Sequence, residues 1–149
     1  MFVRTETRPG FEVIGMKYRG RNEKTEVPEL WESFVPRMRE IKNRADLAAS
    51  YGVMDNYDED SGEFDYITCV EVSSSEEVPQ GMVSAKIPEQ TYAVFRASLP
   101  KIKEAFGQIY GKWFPDSEHE RSPGPEFELY GKEFEIDKTI FIYIPIRAG

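Results

Sequence analysis

The sequence predicts an α+β fold in which two similar strand–helix–strand–strand modules build a pseudo-twofold antiparallel sheet that carries two main helices. Three observations lead to this expectation. The chain has 149 residues, which suits one domain with one core. Two segments carry apolar residues at helical spacing, and extended apolar runs flank both segments in the same order. We therefore expect one domain over residues 1–149, with internal repeats at about 11–72 and 82–146.

The first repeat begins with a predicted strand over residues 11–18. A helix is predicted over 28–41, because its apolar residues form a single stripe: Leu30, Trp31, Phe34, Val35, Met38 and Ile41. Pro36 should kink or restart this helix, since proline lacks the amide donor. Strands over 51–54 and 64–72 follow, joined by a polar turn.

The second repeat follows the same order. Extended runs at residues 82–87 and 91–96 precede a second apolar helical stripe made of Ile102, Ala105, Phe106, Ile109, Tyr110, Trp113 and Phe114. Pro115 should end this helix. Two strands, 126–130 and 139–146, complete the repeat. The last strand is so uniformly apolar that we expect it to be central and covered on both faces.

Composition excludes several functions. The net charge of −8 argues against direct nucleic-acid binding, because a surface that neutralises phosphates needs clustered Lys and Arg. No apolar run approaches the roughly 18 residues of a membrane span, so we expect no membrane association. The residues from Met1 to Phe11 do not form a secretory signal, which leads to an expected cytoplasmic localisation.

Few residues could support metal or nucleophilic chemistry. The single cysteine, Cys69, lies in an apolar strand pattern and is interpreted as a buried small hydrophobe. The single histidine, His119, lies among acidic loop residues and is interpreted as solvated. The acidic run 55–63 lacks the register of a calcium loop, and glycine-rich phosphate motifs are absent from the sequence. We expect no metal and no cofactor.

The strand over residues 126–130 is the most informative segment. Because strand side chains alternate, Glu126, Glu128 and Tyr130 point to one face, and Phe127 and Leu129 point to the other. Alternation alone favours an apolar pair in the core and glutamates in water. However, a carboxylate among aromatic rings is what recognition of a lipophilic cation requires. The residues alone leave both interpretations open.

Three segments, 87–95, 125–130 and 142–146, resemble the GyrI-like, AraC-type effector-binding family. The similarity extends from Phe11 to Ile146. It implies two strand–helix–strand–strand modules with a ligand pocket at their junction. Family members serve as effector domains of multidrug-sensing transcription regulators or occur as single-domain proteins, and the absence of DNA-binding helices before Phe11 suggests a stand-alone member.

The resemblance also implies site residues. The glutamate and tyrosine of the family's Phe-Glu-x-Tyr strand correspond to Glu128 and Tyr130, and its aromatic residue near the end of the second helix corresponds to Trp113. We expect the ligand-binding residues to be Glu128, Tyr130, Trp113, Tyr92, Trp31 and Tyr51.

Three functions follow as alternatives. The first is binding of a lipophilic, cationic or aromatic small molecule in a central pocket around Glu128. The second is hydrolysis of cyclopropane-bearing genotoxins, which the resemblance implies, with Glu128 as the base and Tyr130 as a proton donor. The third is an acidic protein-interaction module, for which the sequence identifies no protein partner.

Overall fold

An eight-stranded antiparallel sheet forms the body of the protein in a computed structural model that describes residues 1–147. In chain order the strands are β1 (Phe2–Arg8), β2 (Phe11–Gly20), β3 (Ser50–Asp55), β4 (Phe64–Val72), β5 (Val83–Ile87), β6 (Gln90–Ser98), β7 (Glu126–Tyr130) and β8 (Thr139–Pro145). Their order across the sheet is β1-β6-β8-β7-β3-β4-β2-β5. The predicted α+β class is confirmed.

Two main helical segments accompany the sheet, as predicted, and a short separate helix, α4 (Lys132–Asp137), is added to them. The helices are α1 (Glu26–Phe34), α2 (Ile102–Gln108), α3 (Phe114–Asp116) and α4 (Lys132–Asp137), with a 3₁₀ turn at Val35–Glu40 and a π-helical turn at Ile109–Trp113. Pro36 lies in the first turn of the 3₁₀ segment, where the helix restarts as expected. The second helical segment runs one residue past Pro115. Within residues 1–147, no helix is long and apolar enough to cross a membrane.

Two elements were not predicted from the sequence. β1 is mainly polar and exposed because it lies at the edge of the sheet, so it lacks the apolar alternation of a buried strand. α4 has only six residues, fewer than two turns, and its apolar residues form no recognisable stripe.

The sheet has a twofold arrangement about its β3–β7 junction. β2, α1, β3 and β4 on one side match β6, α2, β7 and β8 on the other. The first strand of each half pairs with a strand of the other half: β1 pairs with β6, and β5 pairs with β2. The link Pro9-Gly10 joins β1 to β2, and the link Pro88-Glu89 joins β5 to β6. The two links lie against each other, because a Cβ on Gly10 would lie 3.0 Å from the Ile87 carbonyl oxygen. The two ends of the sheet therefore curl towards each other.

The core lies on both faces of the sheet. On the helix-covered face, one cluster packs under α1 and contains Ile14, Phe34 and Val70. A second cluster, which includes Phe95 and Ile142, packs under α2. The opposite face lies inside the curl and holds a third cluster: Val13, Ala49, Tyr51, Val53, Ile67, Cys69, Ile87, Tyr92, Val94, Phe127 and Tyr143. β8 is third in the sheet and buried on both faces, as predicted.

Candidate functional site

Glu128 lies near the centre of the sheet, on the face that carries the helices. It pairs with Gly52 across the β3–β7 junction. The predicted alternation holds, because Phe127 and Leu129 pack into the cluster on the opposite face. However, Glu128 is only 5% exposed. The interpretation that it faces water is therefore wrong, and the reason is that aromatic side chains cover it.

Two tyrosine hydroxyls bind the Glu128 carboxylate. Tyr66 donates to Oε1 at 2.6 Å and Tyr130 donates to the same oxygen at 2.9 Å. Trp31 on α1 donates its indole N–H to the Tyr66 hydroxyl at 3.0 Å, and its ring meets Tyr130 edge to face with centroids 4.9 Å apart. Among residues 1–147, no hydrogen bond reaches Oε2 of Glu128. One carboxylate oxygen thus keeps its acceptor capacity for another group.

Gly52 creates the space that this arrangement needs. A Cβ at position 52 would lie 2.0 Å from the Tyr66 hydroxyl oxygen and 2.7 Å from Oε1 of Glu128. Both distances are shorter than any side-chain carbon tolerates. A glycine within a strand often marks such a close approach. Because residue 52 is a glycine, the Tyr66 hydroxyl and the Glu128 carboxylate can form their hydrogen bond directly over β3.

The electrostatic state of Glu128 follows from its burial. Loss of hydration raises the pKa of Glu128 to about 7, although the hydrogen bonds from Tyr66 and Tyr130 act in the opposite direction. Burial, together with the nearby Glu128 charge, also raises the pKa of both tyrosines. In the part of the chain that the structure describes, Glu128 forms no ion pair with Lys, Arg or His. It is a buried carboxylate without a counter-ion.

A cavity of about 920 Å³ adjoins this carboxylate. Its wall includes aromatic, apolar and charged side chains, among them Met54, Phe64, Phe106, Tyr110, Arg121 and Glu126. Glu128 does not line the cavity itself. It is the next residue on the same face of β7 after Glu126, and Gly52 stands in the same relation to Met54 on β3. On both strands the cavity wall therefore ends at the residue next to the Glu128–Gly52 pair on this face.

Glu126, at the rim, is an ion-paired carboxylate. Its Oε1 accepts hydrogen bonds from Tyr110 at 2.8 Å and from Arg121 at 3.0 Å. Arg121 also donates to the Tyr110 hydroxyl at 3.0 Å. The three side chains form a closed network at the edge of the cavity. In residues 1–147, His, Cys, Asp and Glu side chains do not converge in any group that could hold a metal ion.

The structure brings some of the predicted ligand-binding residues together and separates others. Trp31 and Tyr130 contact each other beside Glu128. Trp113 lies farther along the helix-covered face, where it packs against Phe95. His119 lies in the loop where it was predicted, stacks on the Trp113 ring with the ring centroids 5.7 Å apart, and is half-buried.

Tyr51 and Tyr92 lie on the opposite face of the sheet, inside the curl. There the guanidinium of Arg8 stands over the Phe11 ring at 4.3 Å and over the Tyr51 and Phe127 rings at 5.4 Å. Arg8 also donates to the Tyr51 hydroxyl at 2.8 Å. This aromatic cluster already holds a cation of the protein itself. Tyr51 and Tyr92 are therefore separated from Glu128 by the sheet.

Several residues of the site were not identified from the sequence. Tyr66 and Gly52 complete the Glu128 site, and Tyr110, Arg121 and Glu126 form the rim. Local patterns could not reveal Tyr66, because it reaches Glu128 only through the pairing of β4 with β3 and of β3 with β7. Gly52 carried a usable signal, since a glycine in a strand suggests a close approach.

A family model described as "Integron-associated effector binding protein" (Cass2) matches residues 4–146. The transcriptional regulator BrlR of Pseudomonas aeruginosa is 36% identical over 98% of this chain. The match covers 56% of that regulator, so the chain spans a little over half of its length.

Solved structures share the fold. An integron cassette protein from the mobile metagenome of Vibrio cholerae superposes with a TM-score of 0.70 at 23% identity, covering 97% of this chain and 95% of the other. SAV2435, which was solved bound to tetraphenylphosphonium, superposes with a TM-score of 0.74 at 19% identity, covering 99% of this chain and 94% of the other. At these identities the likeness concerns the fold.

Proposed function

The chain belongs to the integron-associated effector binding protein family, and from this premise we propose that it binds a lipophilic organic cation whose positive charge pairs with Glu128. Membership of an effector-binding family makes small-molecule binding its general role. The chemistry of the ligand and the residue that selects it are the proposal.

The observation that carries the proposal is the unpaired, buried carboxylate. Removing a carboxylate from water is unfavourable unless a cation or several hydrogen bonds compensate. Glu128 receives two hydroxyl hydrogen bonds, both at Oε1, and no ion pair within residues 1–147. A cation that approaches Oε2 would supply the missing compensation. Binding energy is therefore available to a positively charged ligand and unavailable to a neutral one of the same shape.

The rings around the site suit the rest of such a ligand. Trp31, Tyr66 and Tyr130 surround Glu128, and the faces of such rings attract a cation that has lost its water. The adjoining cavity of about 920 Å³ is large enough for a drug-sized molecule, and Phe64 and Phe106 in its wall supply apolar surface. A ligand with a bulky aromatic body and a single positive charge would suit both the apolar cavity and the carboxylate.

The direct test is calorimetric titration with tetraphenylphosphonium, a compound that a protein of the same fold binds. We expect the Glu128→Gln variant to bind at least about tenfold more weakly than the wild-type protein, because the variant keeps the shape and loses the charge. Glu71→Gln is the matched control, since Glu71 lies on β4 on the opposite face beside Arg8. Unchanged affinity in Glu128→Gln would refute the role of this glutamate.

A second candidate function is hydrolysis of a strained electrophilic ring. The pKa of about 7 and the free Oε2 atom favour it, because a general base works best with a pKa near the working pH and needs an open acceptor. Mass spectrometry of a cyclopropane-bearing electrophile incubated with the protein separates the two functions. Turnover that disappears in Glu128→Gln supports hydrolysis, whereas stoichiometric binding without product supports a binding protein.

A further inference from the structure

Two carboxylates stand side by side on the helix-covered face of β7. Glu126 and Glu128 are two residues apart in one strand, so their backbone positions lie roughly 7 Å apart along it. Glu126 lines the cavity, and Glu128 is the next residue on the same face of the strand. A ligand that reaches Glu128 from the cavity therefore passes Glu126, and the charge state of this pair decides how many positive charges the site can compensate.

Arg121 neutralises one of the two. Its guanidinium pairs with Oε1 of Glu126 at 3.0 Å, and the side chain of Glu126 is 14% exposed. Arg121 also donates to the Tyr110 hydroxyl at 3.0 Å, to the Gly124 carbonyl at 3.2 Å and to the Ser122 carbonyl. Since several acceptors fix the guanidinium, a ligand would have to break a whole network to displace it. Glu126 is thus unavailable to a second cationic group.

Other acidic groups near the cavity do not replace Glu126. Asp55 and Glu59 lie in its wall, at the end of β3 and in the loop that follows. Glu59 is exposed, and Oδ1 of Asp55 accepts a hydrogen bond from the backbone N–H of Asn56. Water and salt screen such groups far more strongly than a buried carboxylate. The charge that selects a ligand therefore comes from Glu128.

We propose that Arg121 sets the charge of the ligand: by neutralising Glu126 it leaves one unpaired carboxylate, so the pocket selects an aromatic monocation over a dication of the same shape. This inference rests on the proposed role of Glu128. A second positive charge would enter a partly desolvated wall that already holds a guanidinium, and like charges there repel.

A matched pair of probes tests the inference. N-Methyl-4-phenylpyridinium is a biaryl monocation, and N,N′-dimethyl-4,4′-bipyridinium has nearly the same shape with two charges. We expect the wild-type protein to bind the monocation at least about tenfold more tightly. In Arg121→Gln, affinity for the dication should rise about tenfold while affinity for the monocation changes little, because Glu126 becomes available. Adding Glu126→Gln should remove that gain.

Arg37→Gln is the control, because Arg37 pairs with Glu40 on the surface, away from the cavity. Equal affinities of the wild-type protein for the two probes would overturn the inference, and so would an unchanged ratio in a folded Arg121→Gln. If Arg121→Gln does not fold, the wild-type ratio alone decides. The monocation could also bind in a Glu128-dependent way with the same affinity as the dication. That result would support the proposed function and contradict the role of Arg121. If neither probe binds while tetraphenylphosphonium binds in a Glu128-dependent way, the inference about Arg121 is overturned and the proposed function stands.

Discussion

Gly52 and Tyr66 compete for one space: the Tyr66 hydroxyl oxygen occupies a position only 2.0 Å from where a Cβ of residue 52 would lie. Gly52→Ala should therefore push Tyr66 away from Glu128 and destabilise the protein by about 1–3 kcal/mol, the usual effect of overpacking. Affinity for a lipophilic cation should fall as well. Chemical denaturation and calorimetric titration measure the two effects.

Gly107→Ala is the control for this substitution, because a Cβ there meets nothing within 4 Å. It lies in α2, where alanine is a better helix former than glycine, so its stability should be equal or higher. Combining Gly52→Ala with Tyr66→Phe removes the clashing oxygen and should recover part of the lost stability. Full ligand affinity in Gly52→Ala alone would contradict the close packing described above.

Stability should fall with increasing pH because of Glu128. Burial raises the pKa of Glu128 to about 7 in the folded protein, whereas the pKa of an unfolded glutamate is about 4.3. Between these values the folded state binds more protons, so the free energy of unfolding decreases as pH rises from about 4 to about 7, by roughly 4 kcal/mol, and levels off above. Glu128→Gln should remove this component. Parallel pH profiles of the wild-type protein and the variant would count against it.

Cation binding should release protons. A positive ligand favours the ionised carboxylate, so at pH 6, below the Glu128 pKa of about 7, binding should expel a large fraction of one proton. Affinity should accordingly rise with pH and level off above neutrality. Calorimetry in two buffers with different ionisation enthalpies measures the proton count. A count that is the same in wild type and Glu128→Gln would show that another group titrates.

Two tyrosines on opposite faces of the sheet offer a matched comparison. Tyr66→Phe removes the 2.6 Å hydrogen bond to Glu128 and should weaken cation binding by about tenfold, since hydrogen bonds to charged groups contribute about 1.5–3 kcal/mol. Tyr51→Phe removes a hydroxyl beside Arg8 and should leave the affinity unchanged. The reverse pattern would place the ligand inside the curl of the sheet.

Arg8 should matter for stability and not for the ligand. Its side chain is 18% exposed, contacts several rings and pairs with Glu71 at 3.2 Å. Arg8→Leu should lower the free energy of unfolding by about 2 kcal/mol. Arg4→Leu on the same strand is the control, with an expected change below about 1 kcal/mol because Arg4 is 47% exposed. Equal effects would argue against the aromatic contacts as the cause.

The sequence allowed prediction wherever local periodicity coincides with burial. The helix around Trp31 and the strand β8 were predicted correctly, because the spacing of apolar residues that marks each element lies within the segment itself. β1 was missed because an exposed edge strand needs no apolar alternation. The environment of Glu128 depends on strand register: Gly52 and Tyr66 lie 76 and 62 positions away in the chain, and pairing alone brings them to the carboxylate.

The exchange of first strands between the halves has a consequence for folding. β1 pairs with β6, so Phe2 lacks its partner Phe95 until nearly two thirds of the chain has been synthesised. The sheet is complete only when β8, which ends at Pro145, has joined β6 and β7. Such long-range pairing raises contact order and slows folding. An isolated N-terminal half would hold β1 without its partner and expose an open strand edge, which invites aggregation. The symmetry that builds the pocket thus makes the two halves fold as one cooperative unit.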